Sequence, residues 1–387
     1  MSRYYSWLNA SKELISRYEG KEPFASFTKK YFAQHKKYGS RDRKIISQLC
    51  FGFFRLGNAF DQQPVDERIL LGAFLSSTNP GDVISELRPL WYENISLTAP
   101  QKFSYLQAKE EWSKVFSHSF ELSDKIDKIA YQEALFKQPL LFIRIRPGKL
   151  SIVDQKLKAA NIEFNKVNES CLALSNSTKV DAVLKLNDEA VIQDLNSQKV
   201  MDVLPQHIQE ARHLKAWDCC AASGGKSILL NDKLAGVQLT VSDIRETILK
   251  NLRQRFQQAG LKDYHLFVAD LSELSYVNNM QFDIVICDAP CSGSGTWGRT
   301  PEQLGFFKQE RIGYYNNLQQ KIALNASKSV KKGGYFLYIT CSVFEKENEG
   351  VVNFLQDHTS LQLVTQQYFT GYEKRADTLY AALFTLT

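Results

Sequence analysis

The pattern of apolar and polar positions divides the chain into three parts. Residues 1–125 carry apolar side chains at helical spacing in successive segments, which predicts an all-helical domain. Residues 126–200 combine short strand-like runs such as LLFIRIRP with one amphipathic helix, SIVDQKLKAANI, which predicts a small α+β domain. Over residues 201–387, apolar runs alternate with helical segments, a pattern typical of a doubly wound, mostly parallel α/β sheet.

The third part also carries polar residues where its predicted strands end. These residues are Asp218, Asp243, Asp270, Asp288 and Cys341. Ligands of such sheets bind at the carboxyl ends of the strands, so these positions are candidate site residues. In the same part we predict a long helical segment from Glu302 to Val330 and an antiparallel strand pair at the end of the chain.

The composition of the chain bears on its cellular location, on the state of its cysteines and on the charge of its partners. No apolar run approaches the roughly 20 residues needed to cross a bilayer, and the first residues lack a signal-peptide core, so we expect a cytoplasmic protein. The seven cysteines follow no spaced framework, which favours free thiols over disulfides. The net charge of +6 permits a polyanionic partner without requiring one.

Two groups of basic residues are candidate contacts for a phosphate backbone. The first comprises Lys36, Lys37, Arg41, Arg43, Lys44 and Arg55, and the second comprises Arg144, Arg146 and Lys149. For the first group, charge alone favours a solvated helix face.

The loop DCCAASGGKS follows the first strand of the predicted α/β sheet and indicates a nucleotide-like ligand. It is not a phosphate-binding P-loop, because Cys220 stands where that motif requires glycine. A loop of small residues together with Asp243 and Asp270 suits S-adenosylmethionine, whose ribose and adenine offer hydrogen-bonding groups and which has no phosphates.

Cys291, Cys341 and Asp288 are expected at the same edge of the sheet. Carbon 5 of cytosine needs covalent activation before methylation, and two thiols with one carboxyl group meet that need. The residues alone do not decide which cysteine attacks. A zinc site formed by Cys219, Cys220, Cys287, Cys291 and Cys341 is disfavoured by the absence of C-x-x-C spacing, and a Cys291–Cys341 disulfide by a reducing cytoplasm. Cys219 and Cys287 are interpreted as core residues.

At this point the motifs CCAASGGKS, VSDIRETILKNLRQR, DAPCSGSGTWGRTPE and YITCSVFEKENEGVV together resemble the RsmB/NSUN family of RNA cytosine-5 methyltransferases. The helical N-terminus, with YGSRDRKIISQLCFGFFR, is similar to the NusB-like domain of the bacterial RsmB type. The resemblance implies a NusB-like RNA-binding domain over 1–125, a linker or RNA-binding domain over 126–200 and a Rossmann-like, S-adenosylmethionine-dependent catalytic domain over 201–387.

The resemblance also implies a role for each site residue. Cys341 is the nucleophile, Cys291 assists product release, and Asp288 orients the base and stabilises the transition state. Lys226 is expected near the donor or the base. The implied S-adenosylmethionine contacts are Cys220, Ala221, Ala222, Ser223, Gly224, Gly225, Lys226, Asp243, Asp270 and Asp288. Ser223 replaces the proline of the family loop CAAPGGKT, which we expect to loosen the loop by ~0.4–1 kcal/mol without removing a ligand.

The expected function is methylation of a cytosine in RNA at carbon 5, with 16S ribosomal RNA as the leading substrate. The alternatives are a transfer-RNA cytosine-5 methyltransferase and a catalytically silent RNA-binding assembly factor. The intact pair Cys291 and Cys341 argues against the silent factor. We expect RNA as partner, no membrane, no metal and a monomer.

Overall fold

The computed structural model describes residues 3–77, 82–273 and 279–387. Its α-helices are α1 (Arg3–Arg17), α2 (Phe24–Gln34), α3 (Ser40–Arg55), α4 (Val65–Ser76), α5 (Asp82–Leu87), α6 (Pro89–Tyr92), α7 (Ala99–Tyr105), α8 (Trp112–Val115), α9 (Lys128–Leu135), α10 (Leu150–Ala159), α11 (Gln206–Glu210), α12 (Gly225–Lys233), α13 (Glu246–Gln258), α14 (Gln303–Phe306), α15 (Glu310–Ser327) and α16 (Glu349–His358). Its strands are β1 (Leu141–Ile145), β2 (Phe164–Lys166), β3 (Cys171–Leu174), β4 (Ala190–Ile192), β5 (Lys215–Asp218), β6 (Gln238–Asp243), β7 (Tyr264–Val268), β8 (Phe282–Asp288), β9 (Val330–Thr340), β10 (Leu361–Phe369) and β11 (Leu379–Leu386).

The chain folds into two compact units, and both are discontinuous in sequence. The helical unit comprises Met1–Leu122, Asp127–Gln138 and Thr296–Gln309. The sheet unit comprises Ser123–Ile126, Pro139–Gly295 and Glu310–Thr387. The predicted three-domain boundaries after residues 125 and 200 stay a prediction, since this division groups both sheets in one unit.

In the helical unit, amphipathic helices bury their apolar faces on one another. Helices α3 and α4 approach so closely at Gly52 and Gly72 that a Cβ atom on either residue would overlap the backbone of the other helix. The segment that contains α14 contributes Trp297, Leu304 and Phe307 to the buried residues of this unit. The helical character predicted for the N-terminal region is confirmed, and it is consistent with the predicted NusB-like domain.

Two sequence-based expectations are wrong. The helix predicted from Glu302 to Val330 is two helices, because the chain leaves helical geometry after Phe306, joins the helical unit up to Gln309 and starts α15 at Glu310. Arg55 does not belong to a basic surface: it is 3% exposed and donates hydrogen bonds to the carbonyl oxygens of Leu135 and Gly298.

The smaller sheet of the sheet unit has the strand order β2-β3-β1-β4 with antiparallel pairing. The prediction of a second basic surface is also wrong. The side chains of Arg144, on β1, and of Arg146, just after β1, point inward, and both form ion pairs with the buried carboxylate of Asp232 on α12. Lys149 pairs with Asp188 at the surface. These arginines therefore hold the small sheet onto α12 and present no cationic face.

The larger sheet has the order β10-β11-β9-β8-β5-β6-β7, with β9, β8, β5, β6 and β7 parallel to one another. Strand β11 pairs antiparallel with both β9 and β10, as predicted for the end of the chain. The strand order reverses between β5 and β8, which places the loops after these two strands at the point where doubly wound sheets bind ligands. The predicted fold class is confirmed. In the described part of the chain, no helix has the length and apolarity that crossing a membrane requires.

Candidate active site

The loop between β5 and α12 is shaped by small residues with unusual backbone geometry. Ala222 and Gly224 have φ angles of 46° and 81°. A side chain at Gly224 would collide with the ring of Phe256, so this position requires glycine. The amide of Ala221 donates to the carbonyl oxygen of Ser242 at 2.9 Å, which fixes the loop against the end of β6.

Asp243, at the end of β6, is 6% exposed and holds the same loop through its side chain. Its carboxylate accepts a hydrogen bond from the amide of Ala222 at 3.0 Å, and the Arg245 guanidinium donates to both carboxylate oxygens. Asp270, two residues after β7, accepts from the amide and hydroxyl of Ser272. Both carboxylates thus lie at adjacent strand ends, where the sequence predicted ribose and adenine contacts, and those two roles stay predictions.

Ser223, which replaces the family proline, has a partner that the sequence did not predict. Its hydroxyl accepts a hydrogen bond of 2.7 Å from Nη1 of Arg255 on α13, and its carbonyl oxygen accepts another of 3.0 Å. Arg255 is itself oriented by Asn187, which accepts from its Nε at 3.0 Å. The charged guanidinium of Arg255 therefore restrains the loop at Ser223, where the family proline would otherwise limit the backbone.

Lys226, on the first turn of α12, reaches the end of β8. Its Nζ lies 2.6 Å from a carboxylate oxygen of Asp288. Burial acts to lower the pKa of Lys226, but the charge and hydrogen bond of Asp288 raise it above its ordinary value, with a further contribution from Cys341. The ammonium group thus pairs with the carboxylate at the end of β8 and lies within electrostatic range of the cysteine after β9.

Cys291 and Cys341 come together although 50 residues separate them. Parallel pairing of β8 with β9 aligns Asp288 with Ile339, so the loops after the two strands leave the sheet side by side. The two sulfurs lie 3.3 Å apart as free thiols. The hydrogen bond with Cys341, together with burial, raises the pKa of Cys291 well above its ordinary value.

A buried polar network holds the backbone on both sides of Cys291. Gln319 on α15 donates to the carbonyl oxygen of Pro290 at 2.9 Å, and the carboxylate of Glu347 accepts from the amide of Ser292 at 2.8 Å. Gln319 also donates to Glu347 at 3.0 Å, which joins the two contacts. Both side chains are fully buried, and burial raises the pKa of Glu347 above its ordinary value.

The structure therefore gathers the predicted chemical groups at one edge of the sheet. Lys226, Asp288, Cys291 and Cys341 form one contiguous set, and Asp243 with the 220–225 loop lies at the neighbouring strand ends. Cys219 and Cys287 are buried, as predicted. The sequence reasoning missed Gln319, Glu347, Arg245 and Arg255. Glu347 carried a signal, since it lies within the ENE run that follows Cys341, and Arg245 and Arg255 lie within the motif VSDIRETILKNLRQR, whereas Gln319 lies in none of the motifs.

Comparison with known proteins finds similar sequences and similar folds. The family model described as 16S rRNA methyltransferase RsmB/F matches residues 206–380. The chain is 30% identical over 352 residues to "Ribosomal RNA small subunit methyltransferase B" of Xylella fastidiosa (strain Temecula1), covering 80% of this chain and 79% of that protein. It is 28% identical over 258 residues to "Probable ribosomal RNA small subunit methyltransferase B" of Bacillus subtilis (strain 168), covering 65% of this chain and 56% of that protein.

One solved structure, that of PH0851, covers 100% of this chain and 99% of its own with a TM-score of 0.74. The two sequences are 18% identical, so this likeness concerns the fold.

Proposed function

Because the chain belongs to the 16S rRNA methyltransferase RsmB/F family, we propose that it methylates carbon 5 of a cytosine in small-subunit ribosomal RNA. Membership of this family confirms the resemblance, the class of S-adenosylmethionine-dependent RNA methyltransferase and the cofactor predicted from the sequence. The choice of carbon 5, the covalent route and the residue roles are our proposal. The observation that carries it is the pair of thiols 3.3 Å apart beside the Lys226–Asp288 ion pair.

The residues at the ends of β5 and β6 fit S-adenosylmethionine as the methyl donor. The small-residue loop with its positive φ angles brings backbone close to a ligand, and Asp243 offers carboxylate oxygens at the adjoining strand end. Residues 220–226 with Asp243, Asp270 and Asp288 would hold S-adenosylmethionine. When bound, it supplies an electrophilic methyl group on a sulfonium.

Cys341 carries out the first half of the proposed reaction. Its thiolate forms a bond to carbon 6 of the cytosine, and the electrons of the carbon 5–carbon 6 double bond make carbon 5 nucleophilic. Lys226 places a positive charge within electrostatic range of Cys341. Asp288, held by Lys226, orients the base and stabilises the charge that builds up on it.

Cys291 carries out the second half. After methylation, carbon 5 bears both the methyl group and a hydrogen, and Cys291 takes that proton. The carbon 5–carbon 6 double bond then re-forms, the bond between sulfur and carbon 6 breaks, and Cys341 leaves as a thiolate. The proximity of the two sulfurs supports this division of labour, because the base must lie beside the adduct that it resolves.

The target cytosine must be unstacked to expose carbons 5 and 6 to the thiol and the donor. We propose that the helical unit and the small sheet contact the RNA around it, and that the protein acts as a monomer. Of the basic residues predicted as phosphate contacts, Lys36, Lys37, Arg41 and Lys44 are exposed, whereas Arg55, Arg144 and Arg146 are buried in other contacts.

Bisulfite sequencing of ribosomal and transfer RNA tests the proposal. Cells that lack the gene are compared with cells complemented by the native protein or by the Cys341→Ala variant. We expect one or more cytosines of 16S ribosomal RNA to lose protection without the gene and to regain it only with the native protein. If only cytosines of transfer RNA lost protection, the substrate would be transfer RNA and not ribosomal RNA. No change in either RNA would contradict the methylation itself.

A further inference from the structure

A second group of thiols lies where β5 and β8 end, and the proposed reaction uses none of them as nucleophile or base. The sulfurs of Cys219, Cys220 and Cys287 all lie within 4.8 Å of one another. The register of the sheet explains this, since Asp218 pairs with Ile286 and the amide of Cys219 donates to the Ile286 carbonyl oxygen at 2.9 Å. Cys219, just after β5, and Cys287, on β8, are therefore neighbours, and the sulfur of Cys220 completes the group of three.

The spacing of these sulfurs suits a single metal ion. At a metal–sulfur distance of about 2.3 Å, three sulfurs around one ion lie about 4 Å apart. The three residues are free thiols, and within the described residues this is the group of ligand side chains that converges closely enough to share an ion. An apolar core needs Cys219 and Cys287 only as small side chains, and it does not require a third thiol pointing at both.

The number of thiol ligands and the softness of their sulfur atoms favour some metal ions over others. Structural zinc sites use four protein ligands and iron–sulfur clusters are held by four cysteines, whereas this group supplies three thiols, a number that zinc accepts only with a further ligand such as water. Thiolates also bind Cu(I), which is soft and carries a single positive charge. Cys219 and Cys287 are 1% and 0% exposed, so the ion would enter past the half-buried Cys220. Arg245, which interacts electrostatically with Cys220, offsets part of the charge of the thiolates.

We propose that Cys219, Cys220 and Cys287 form a binding site for one Cu(I) ion. Each thiol that binds gives up its proton to solvent, so binding releases protons and no electron is transferred. The spacing in the sequence predicted no metal site, because Cys287 approaches from a different strand. The site does not depend on the proposed methylation, and it places a soft-metal ligand, Cys220, within the loop predicted to hold the methyl donor.

Anaerobic titration of the full-length protein with Cu(I), supplied from a coloured competing chelator, tests this site. The Cys291→Ala/Cys341→Ala protein serves as background, so that the catalytic pair cannot bind the metal. We expect one tightly bound Cu(I) per chain, with X-ray absorption showing three sulfur ligands. Loss of an outer-shell partner costs about 10- to 100-fold in metal affinity. Loss of the ligand itself, in Cys219→Ser or Cys287→Ala, should therefore cost more than about 100-fold.

Cys171→Ala is the matched control, because Cys171 is a buried free thiol of the same unit outside the group. It should bind Cu(I) like the background protein. Circular dichroism and thermal melting establish that each variant is folded before titration. Unchanged Cu(I) affinity in folded Cys219→Ser protein would overturn the proposal. Coordination by nitrogen or oxygen, or tighter binding of Zn(II) than of Cu(I), would overturn it as well.

Discussion

The sulfur of Cys341 lies 3.3 Å from that of Cys291 and is the main cause of the raised pKa of the Cys291 thiol. Two thiols this close do not ionise independently, and the contact with Cys341 opposes loss of the proton from Cys291. Once Cys341 is bonded to carbon 6 it carries no charge. The main cause of the raised pKa is then gone, so Cys291 can release its own proton to solvent and, as a thiolate, take the carbon 5 proton at the step where the proposed mechanism requires a base.

Cys291→Ala protein should accumulate a covalent adduct with cytosine-containing RNA in the presence of methyl donor. The thioether still forms, but the group that takes the carbon 5 proton is missing, so the adduct resolves slowly. A denaturing gel with labelled RNA measures it. Cys341→Ala protein should form none, and Cys171→Ala should turn over without accumulating any. An adduct in Cys341→Ala protein would show that the nucleophile is assigned to the wrong residue.

The reactivity of Cys291 toward iodoacetamide should depend on Cys341. A thiol whose pKa is raised stays protonated, and therefore unreactive, to higher pH, so the midpoint for Cys291 should lie above its ordinary 9.0. Cys341→Ala removes the main cause but not burial, so the midpoint should fall and still lie above the ordinary value. Peptide mass spectrometry across a pH series follows each thiol separately. An unchanged midpoint would mean that burial alone sets the pKa.

Gln319→Ala should slow resolution of the adduct without altering the affinity for S-adenosylmethionine. The substitution removes the donor to Pro290 and Glu347 and leaves both buried acceptors short of a partner, at a cost of about 1–3 kcal/mol. Single-turnover decay of the adduct measures resolution, and calorimetry measures donor binding. Gln320→Ala is the control, because Gln320 donates to Asn316 on its own helix. Equal slowing in both variants would refute a positioning role for Gln319.

Arg255→Ala should weaken binding of S-adenosylmethionine about tenfold, since a hydrogen bond from a charged donor to Ser223 stabilises the loop by about 1.5 kcal/mol or more. Calorimetric titration gives the dissociation constants. Arg253→Ala, an exposed arginine two residues earlier on α13, should bind the donor like the native protein. If both variants bind as tightly as the native protein, the loop does not need Arg255 to compensate for the missing proline.

The parallel sheet and the site at its edge were predictable because they depend on local patterns. Apolar runs ending in Asp243, Asp270 and Asp288 indicate strands whose carboxyl ends meet. The pairing of Cys291 with Cys341 followed from the order of their strands. The same local patterns predict the fold class and the four chemical groups of the site, which are Lys226, Asp288, Cys291 and Cys341.

What the sequence did not predict depends on contacts between distant residues. Arg144 and Arg146 show their charge in the sequence, but their partner Asp232 lies more than 80 positions away. The residues from Glu302 to Val330 have helical spacing throughout, and tertiary packing of Phe307 divides them. The Gln319–Glu347 network was invisible for the same reason, because neither residue differs in type from a solvated one.

The helical unit takes its last segment, with buried Trp297, Leu304 and Phe307, from residues 296–309. During synthesis on a ribosome, its first 138 residues emerge long before that segment does. Domains tend to fold as they emerge, but this one cannot complete its core until about four fifths of the chain has been translated. The helical unit can therefore finish folding only after the DAPCSG loop, which lies just before the segment in the sequence, has been synthesised. A truncation after residue 138 would leave an incomplete unit with exposed apolar surface.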